Sequence, residues 1–196
     1  MRVRSTVTIA LVLGLSGCVG PYTVREQRSP NPFAGSEASF AVMPLDWSRA
    51  YVDPGPPTNV PWNDDDRAEF EHAKRAMNGA FQRELVAALR RDGIGAHVAG
   101  ASGAHDAAFA IRPVVLEVTP GDFSGGPGHP ATHVRVGAAI VDRGGQVLDV
   151  VEVEHDTLGD PLASTLDQRF TLDGGSVGER VAAYVHGRVV PGSELR

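Results

Sequence analysis

Residues 132–155 read THVRVGAAIVDRGGQVLDVVEVEH. Val134, Val136, Ala138 and Ile140 recur at every second position, the period of a strand with one buried face, over about Thr132 to Val141. Asp142-Arg143-Gly144-Gly145 is a tight hairpin turn. Gln146 to His155 returns as the partner strand, with Val147, Val151 and Val153 on one face. Two long strands joined this closely must pair antiparallel, because a parallel pair needs a long crossover.

Working upstream, Ala107 to Val118 alternates Phe109 and Ile111 with Ala110 and Arg112 and reads as a third strand of the same meander. The loop from Pro120 to Pro130, with Gly121, Gly125, Gly126 and Gly128, joins it to the hairpin. Further upstream lies the clearest helix. Phe70, Ala73, Met77, Ala80, Phe81, Ala88 and Leu89 recur at three- and four-residue steps. Asn63 suits the N-cap, Asp64-Asp65-Asp66 suits the positive end of the helix dipole, and Gly93 suits the C′ position. The helix is expected over Asp64 to Asp92. The three aspartates fan out around a helix and cannot converge on one ion, so they cap and do not ligate. Ile94 to Ala99 is a short strand. Ser39 to Leu45 is another, apolar on both faces and hence expected in a covered position, with Pro44 near its end. Downstream of the hairpin the pattern is weak until Ser176, which with Glu179 fits a capping box. A closing helix is expected from there to Gly187, lined by Val177, Val181, Ala182 and Val185. The predicted fold is α+β: a mainly antiparallel sheet with one long helix and a C-terminal helix packed on one face.

The two ends differ from this pattern. Arg2 and Arg4 precede the apolar run Val7 to Leu15, and Leu15-Ser16-Gly17-Cys18 follows. A basic start, a short apolar core and small residues make a secretory signal. The apolar run is too short for a membrane span, which needs about 20 residues. Cys18 is the only cysteine, so no disulfide framework exists and the fold must hold by packing. The run Leu15 to Cys18 resembles the lipobox of bacterial lipoproteins. That resemblance implies cleavage between Gly17 and Cys18, a covalent lipid on Cys18, and no other cofactor. Val19, where an aspartate would favour retention at the inner membrane, points to the outer membrane, facing the periplasm. The expected organisation is a signal peptide over 1–17, the lipidated cysteine and a flexible tether over 18–38, one domain over 39–190 and a loose tail over 191–196. A tether of about 20 residues would let the domain stand off the membrane.

Without residues 1–17, the chain carries 16 basic against 24 acidic residues, a net charge of −8. That balance argues against nucleic acid and against electrostatic docking on anionic lipid. Lys74 is the only lysine.

Candidate chemistry is sparse. His129 and His133 have zinc-like spacing, but Pro130 breaks the helix such a pair needs and no acid follows as general base, so no metal site is assigned. Gly121 to Gly126 lacks the Lys-Ser/Thr ending of a phosphate loop. His155-Asp156 with Ser164 or Ser176 has the ingredients of a triad without a Gly-x-Ser-x-Gly elbow, so no catalytic residue is assigned. His72 is read as solvated. Trp47, Tyr51 and Trp62, beside the Pro-rich loop 46–61, and Phe123 are candidates for partner contact; folding back over the core is the favoured reading of the first three.

Leu85, Leu89 and Gly93 at the helix end, the loop Gly121 to Gly128 and the terminal Glu179-Arg180-Val181-Ala182-Ala183-Tyr184 are similar to a group of uncharacterised small lipoproteins of Gram-negative bacteria. The resemblance spans about residues 39 to 187. A wider likeness extends to accessory envelope lipoproteins, including the curli secretion lipoprotein and auxiliary lipoproteins of lipid-transport machines. It implies a non-enzymatic, membrane-anchored interaction or accessory module with envelope proteins as partners, and it supplies no catalytic residues. The alternatives are a small-ligand binder, or a metal-assisted hydrolase using Asp122, His129 and His133.

Overall fold

The computed structural model describes residues 22–34, 37–53, 64–99, 106–121, 132–157 and 165–190. Strands β1 (Thr23–Gln27), β2 (Ser39–Val42) and β3 (Tyr51–Val52) precede helix α1 (Asp64–Arg91). Strand β4 (Gly95–Val98) follows, then the meander β5 (Phe109–Thr119), β6 (Thr132–Asp142) and β7 (Val147–Thr157), and helix α2 (Leu166–Val189). The described strands form one sheet in the order β1-β7-β6-β5-β2-β4, with β3 beside the far end of β5. The α+β class stands. By length the sheet is mainly antiparallel, through the ladders β1–β7, β7–β6 and β6–β5, while β2 runs parallel to both β4 and β5.

The hairpin forms as its pattern requires. Val134, Val136, Ala138 and Ile140 are fully buried, as are Val151 and Val153 opposite them. Asp142 accepts the Gly145 N–H at 3.0 Å, and Gly145 adopts φ +82°, which a β-carbon would oppose. A register shift between Ile140 and Val141 changes the start of β7. Val147 is therefore exposed, against expectation, and Leu148 is buried in its place.

The helix α1 ends at Gly93 (φ +76°), where Gly93 N–H donates to Arg90 O and Ile94 N–H to Leu89 O. These two bonds make a Schellman cap, and Ile94 is buried beneath it. Met77, Phe81, Leu85 and Leu89 form its fully buried stripe. As β2 is covered on both sides by strands, Phe40, Ala41 and Val42 are all buried.

Two further expectations fail. The closing helix starts ten residues early: Thr165 is its N-cap and makes the capping box with Gln168, and Ser176 lies in mid-helix. Glycine costs about 1 kcal/mol in a helix interior, and Gly174, Gly175 and Gly178 all lie inside α2. Tertiary packing overrides that cost. A β-carbon at Gly174 would run into Met77 O of α1, and one at Gly178 would lie 2.7 Å from Phe81 O. The two glycines let the helices touch backbone to backbone.

The tether is the second failure. Residues 23–27 are strand β1, paired with β7, and Phe33 is buried against Phe40 and Phe109 with ring centroids at 6.0 and 4.9 Å. Alternation is hard to see in Thr23-Val24-Arg25-Glu26-Gln27 because every side chain of this edge strand is exposed. Among the described residues no helix is long and apolar enough to cross a membrane.

Candidate functional site

Helix α2 carries polar side chains on its buried stripe, and each meets the sheet. Near its carboxyl end Tyr184 donates to Asp149 Oδ2 at 2.8 Å, and Arg188 Nε donates to the same oxygen at 2.8 Å. Asp149 is fully buried on β7 and also accepts the Arg28 N–H at 2.8 Å. Arg188 reaches on to Arg28 O at 2.9 Å and lies over the Phe33 ring, while Asn31 donates to Arg188 O at 2.7 Å. Burial, then the bond to Asp149, push the Tyr184 hydroxyl well above its ordinary range. This cluster clamps the segment after β1 to both α2 and β7.

Toward the amino end of α2 a second buried carboxylate, Asp173, meets the open end of the meander. Thr157 donates to Oδ1 at 2.5 Å and Thr132 to Oδ2 at 2.7 Å; these two threonines face each other across β6 and β7. His155 Nε2 lies 3.7 Å from Oδ1. Burial pushes the Asp173 carboxyl up to about 6, against the pull of Thr157, Thr132 and Arg169. Arg169 is itself buried and reaches Pro120 O at 3.4 Å. Burial, then Arg180, hold the His155 imidazole below its ordinary value, with Asp156 opposing. On the other face of the sheet His133 pairs with Asp156 at 2.7 Å. Beside it runs an ion ladder, Arg25–Glu152–Arg135–Glu117, with closest contacts of 2.8, 3.3 and 2.8 Å.

The candidate contact residues separate. Trp47 packs on the core, stacked on Phe170 at 6.2 Å and edge-on to Phe70 at 6.0 Å, with Lys74 Nζ 5.5 Å from its ring. It acts as a cap, as favoured. Tyr51 is 62% exposed on β3. Gly17, Cys18, Trp62, Asp122, Phe123, His129 and Ser164 lie outside the described residues. His155 faces Asp173 and not a serine, and Ser176 is part of a continuous helix. His72 is exposed on α1. Among the described residues no group of three or more His, Cys, Asp or Glu can hold a metal ion.

Sequence reading missed both buried carboxylates, although each left a signal. Asp149 occupies the inward parity of Val151 and Val153. Asp173 falls on the α2 stripe Leu166, Phe170, Val177, Val181, whose first turns lie in the stretch ahead of Ser176 where the pattern is weak. A carboxylate at an apolar position of a periodic run requires buried partners.

No family model and no curated protein matches this chain. Among solved structures it is similar to PelC, a dodecamer, from Paraburkholderia phytofirmans, at 18% identity over 81% of this chain and 97% of that one, with a TM-score of 0.44. It is also similar to protein XCC0632 from Xanthomonas campestris, of family DUF330, at 12% identity over 85% and 94%, with a TM-score of 0.46.

Proposed function

We propose that the chain is a bacterial lipoprotein, acylated at Cys18, whose α+β domain serves the periplasmic side of the outer membrane as a non-enzymatic interaction or accessory module. The observation that carries this reading is Leu15-Ser16-Gly17-Cys18 directly after a basic start and a short apolar core. A single cysteine at that position supports it further, because a secreted chain rarely keeps one free thiol. One acyl chain holds a protein only marginally, at about 0.8 kcal/mol per buried methylene, so firm anchoring implies more than one chain on Cys18. The buried carboxylates are read as structural: each ties α2 to the sheet through its hydrogen bonds.

Intact mass and membrane fractionation of wild type beside Cys18→Ala test the anchor. Loss of the lipid mass and of membrane association in the variant is expected. An unacylated wild-type protein found in the soluble fraction would overturn it. Pulldown of the lipidated protein from solubilised membranes tests the module: a stable envelope partner is expected, and repeated recovery as a lone monomer would count against it.

A further inference from the structure

Resting on the acylation of Cys18, we infer that the domain does not stand off the bilayer but sits on it, with the β1–β7 edge of the sheet against the lipid headgroups. Strand β1 begins at Thr23, five Cα steps from Cys18. Fully extended, those steps span at most about 18 Å. The lipid-bearing residue is therefore never farther than that from the sheet edge.

Peeling β1 away costs its ladder with β7, and the leash cannot be lengthened past Gln27 without dismantling the clamp behind it. Arg25 holds Glu152 by two bonds, at 2.8 and 3.0 Å. The Arg28 N–H and Arg188 share buried Asp149, Asn31 bonds Arg188 O, and Phe33 is 1% exposed in the core. Releasing the chain past Gln27 would strip a buried carboxylate of the Arg28 N–H, and releasing it further would expose Phe33. Tyr22, just ahead of the strand, is also fixed, edge-on to Tyr184 at 5.3 Å.

The chemistry of this edge fits the wet side of a membrane. All five β1 side chains are exposed, with Val24 at 41%. Among the described residues the strand has no neighbour on its outer side, and the Arg25 side chain is half-exposed there. Its N–H donors suit headgroup phosphate and glycerol oxygens. An edge covered in this way is also shielded from pairing with another chain. Attraction does not hold it there, since the net charge of −8 opposes anionic lipid. The covalent leash does.

Because Cys18 is the only cysteine and its sulfur carries the lipid, a second cysteine is a unique labelling site. The lipidated full chain is reconstituted in phosphatidylethanolamine–phosphatidylcholine vesicles containing a nitroxide-headgroup lipid. A fluorophore on Thr23→Cys is compared with one on Val98→Cys. Val98 is exposed on β4, five inter-strand spacings or about 24 Å across the sheet. Quenching several-fold stronger at position 23 is expected. Inserting about 20 Gly/Ser residues between Pro21 and Tyr22, a coil averaging about 25 Å, is expected to abolish the difference. Equal quenching at both sites in protein of verified lipid mass overturns this inference alone, as does a difference that survives the insertion. Protein without the lipid mass overturns the anchoring reading and this inference with it.

Discussion

Asp149 and Asp173 are two aspartates, each fully buried, meeting the same helix about 22 Å apart along its axis. Their surroundings differ in one respect. Asp149 has the Arg188 guanidinium in direct contact, with a tyrosine hydroxyl and a backbone N–H completing its shell. Asp173 has two neutral threonine hydroxyls and an imidazole at 3.7 Å, with the buried Arg169 also favouring its charged form. Burial alone penalises a charge; whether it stabilises or destabilises the fold depends on what replaces water around it. The Asp149 end is a closed ion pair that stitches the amino-terminal segment into the domain. The Asp173 end keeps a carboxyl that titrates near neutral pH.

Removing the paired carboxylate should have the largest effect. Asp149→Ala leaves the buried Tyr184 hydroxyl without its acceptor and the part-buried Arg188 without its counter-charge, and a loss of about 3 kcal/mol is expected in urea unfolding. A loss no larger than that of an exposed substitution would erase the distinction between the two ends.

The pH dependence comes next. With its folded-state value near 6 and its ordinary value at 3.8, Asp173 binds a proton more tightly in the folded protein. Its contribution to stability is therefore full below about pH 4 and is lost as pH rises through about 6. The loss is about 3 kcal/mol for that shift. His155, held below its ordinary value, works in the opposite sense, losing stability as pH falls. The difference between wild type and Asp173→Asn isolates the carboxyl: the variant should gain on wild type between pH 4 and pH 7, as read from unfolding midpoints. A constant difference across that range would place Asp173 in the same class as Asp149.

Gly174→Ala asks whether the Asp173 end depends on the contact between the helices. The added methyl meets a backbone carbonyl that cannot rotate away, and a loss of about 2–3 kcal/mol is expected. Hydrogen exchange should rise first around Thr132 and Thr157 and least around Tyr184. Gly79→Ala, where the methyl meets only the end of Arg83, should instead stabilise by about 0.5–1 kcal/mol. The smallest effect belongs to the exposed edge. Arg25→Ala removes an ion pair whose arginine side chain is 53% exposed, and its coupling to Glu152 in double-mutant analysis is expected to be the weakest of these effects.

Much of the fold was legible because periodicity reports burial directly. The meander, α1 with its glycine cap and the covered strand β2 each announce themselves through which positions are apolar. Legibility ends where a residue's role depends on a distant partner. Val24 and Arg25 carry no strand signal, because the edge they form is exposed on every side chain and its only reason to be extended is β7. Gly174 and Gly178 carry no helix signal, because their function is the absence of a side chain opposite Met77 and Phe81. Trp47 was read as a cap over the core, and its stacking on Phe170 bears that out.

The amino-acid sequence by itself determined the fold class, the hairpin, the long helix and the chemistry expected of Cys18. Each follows from local order: a period, a cap, or a short motif. Only the tertiary structure decided that residues 23–27 join the sheet, how far α2 extends and which carboxylates lie buried against which groups. Those outcomes depend on groups brought together across up to 160 residues of chain, as between Arg28 and Arg188. Local pattern cannot encode them, because the free energy that selects them arises only when the two surfaces meet and exclude water.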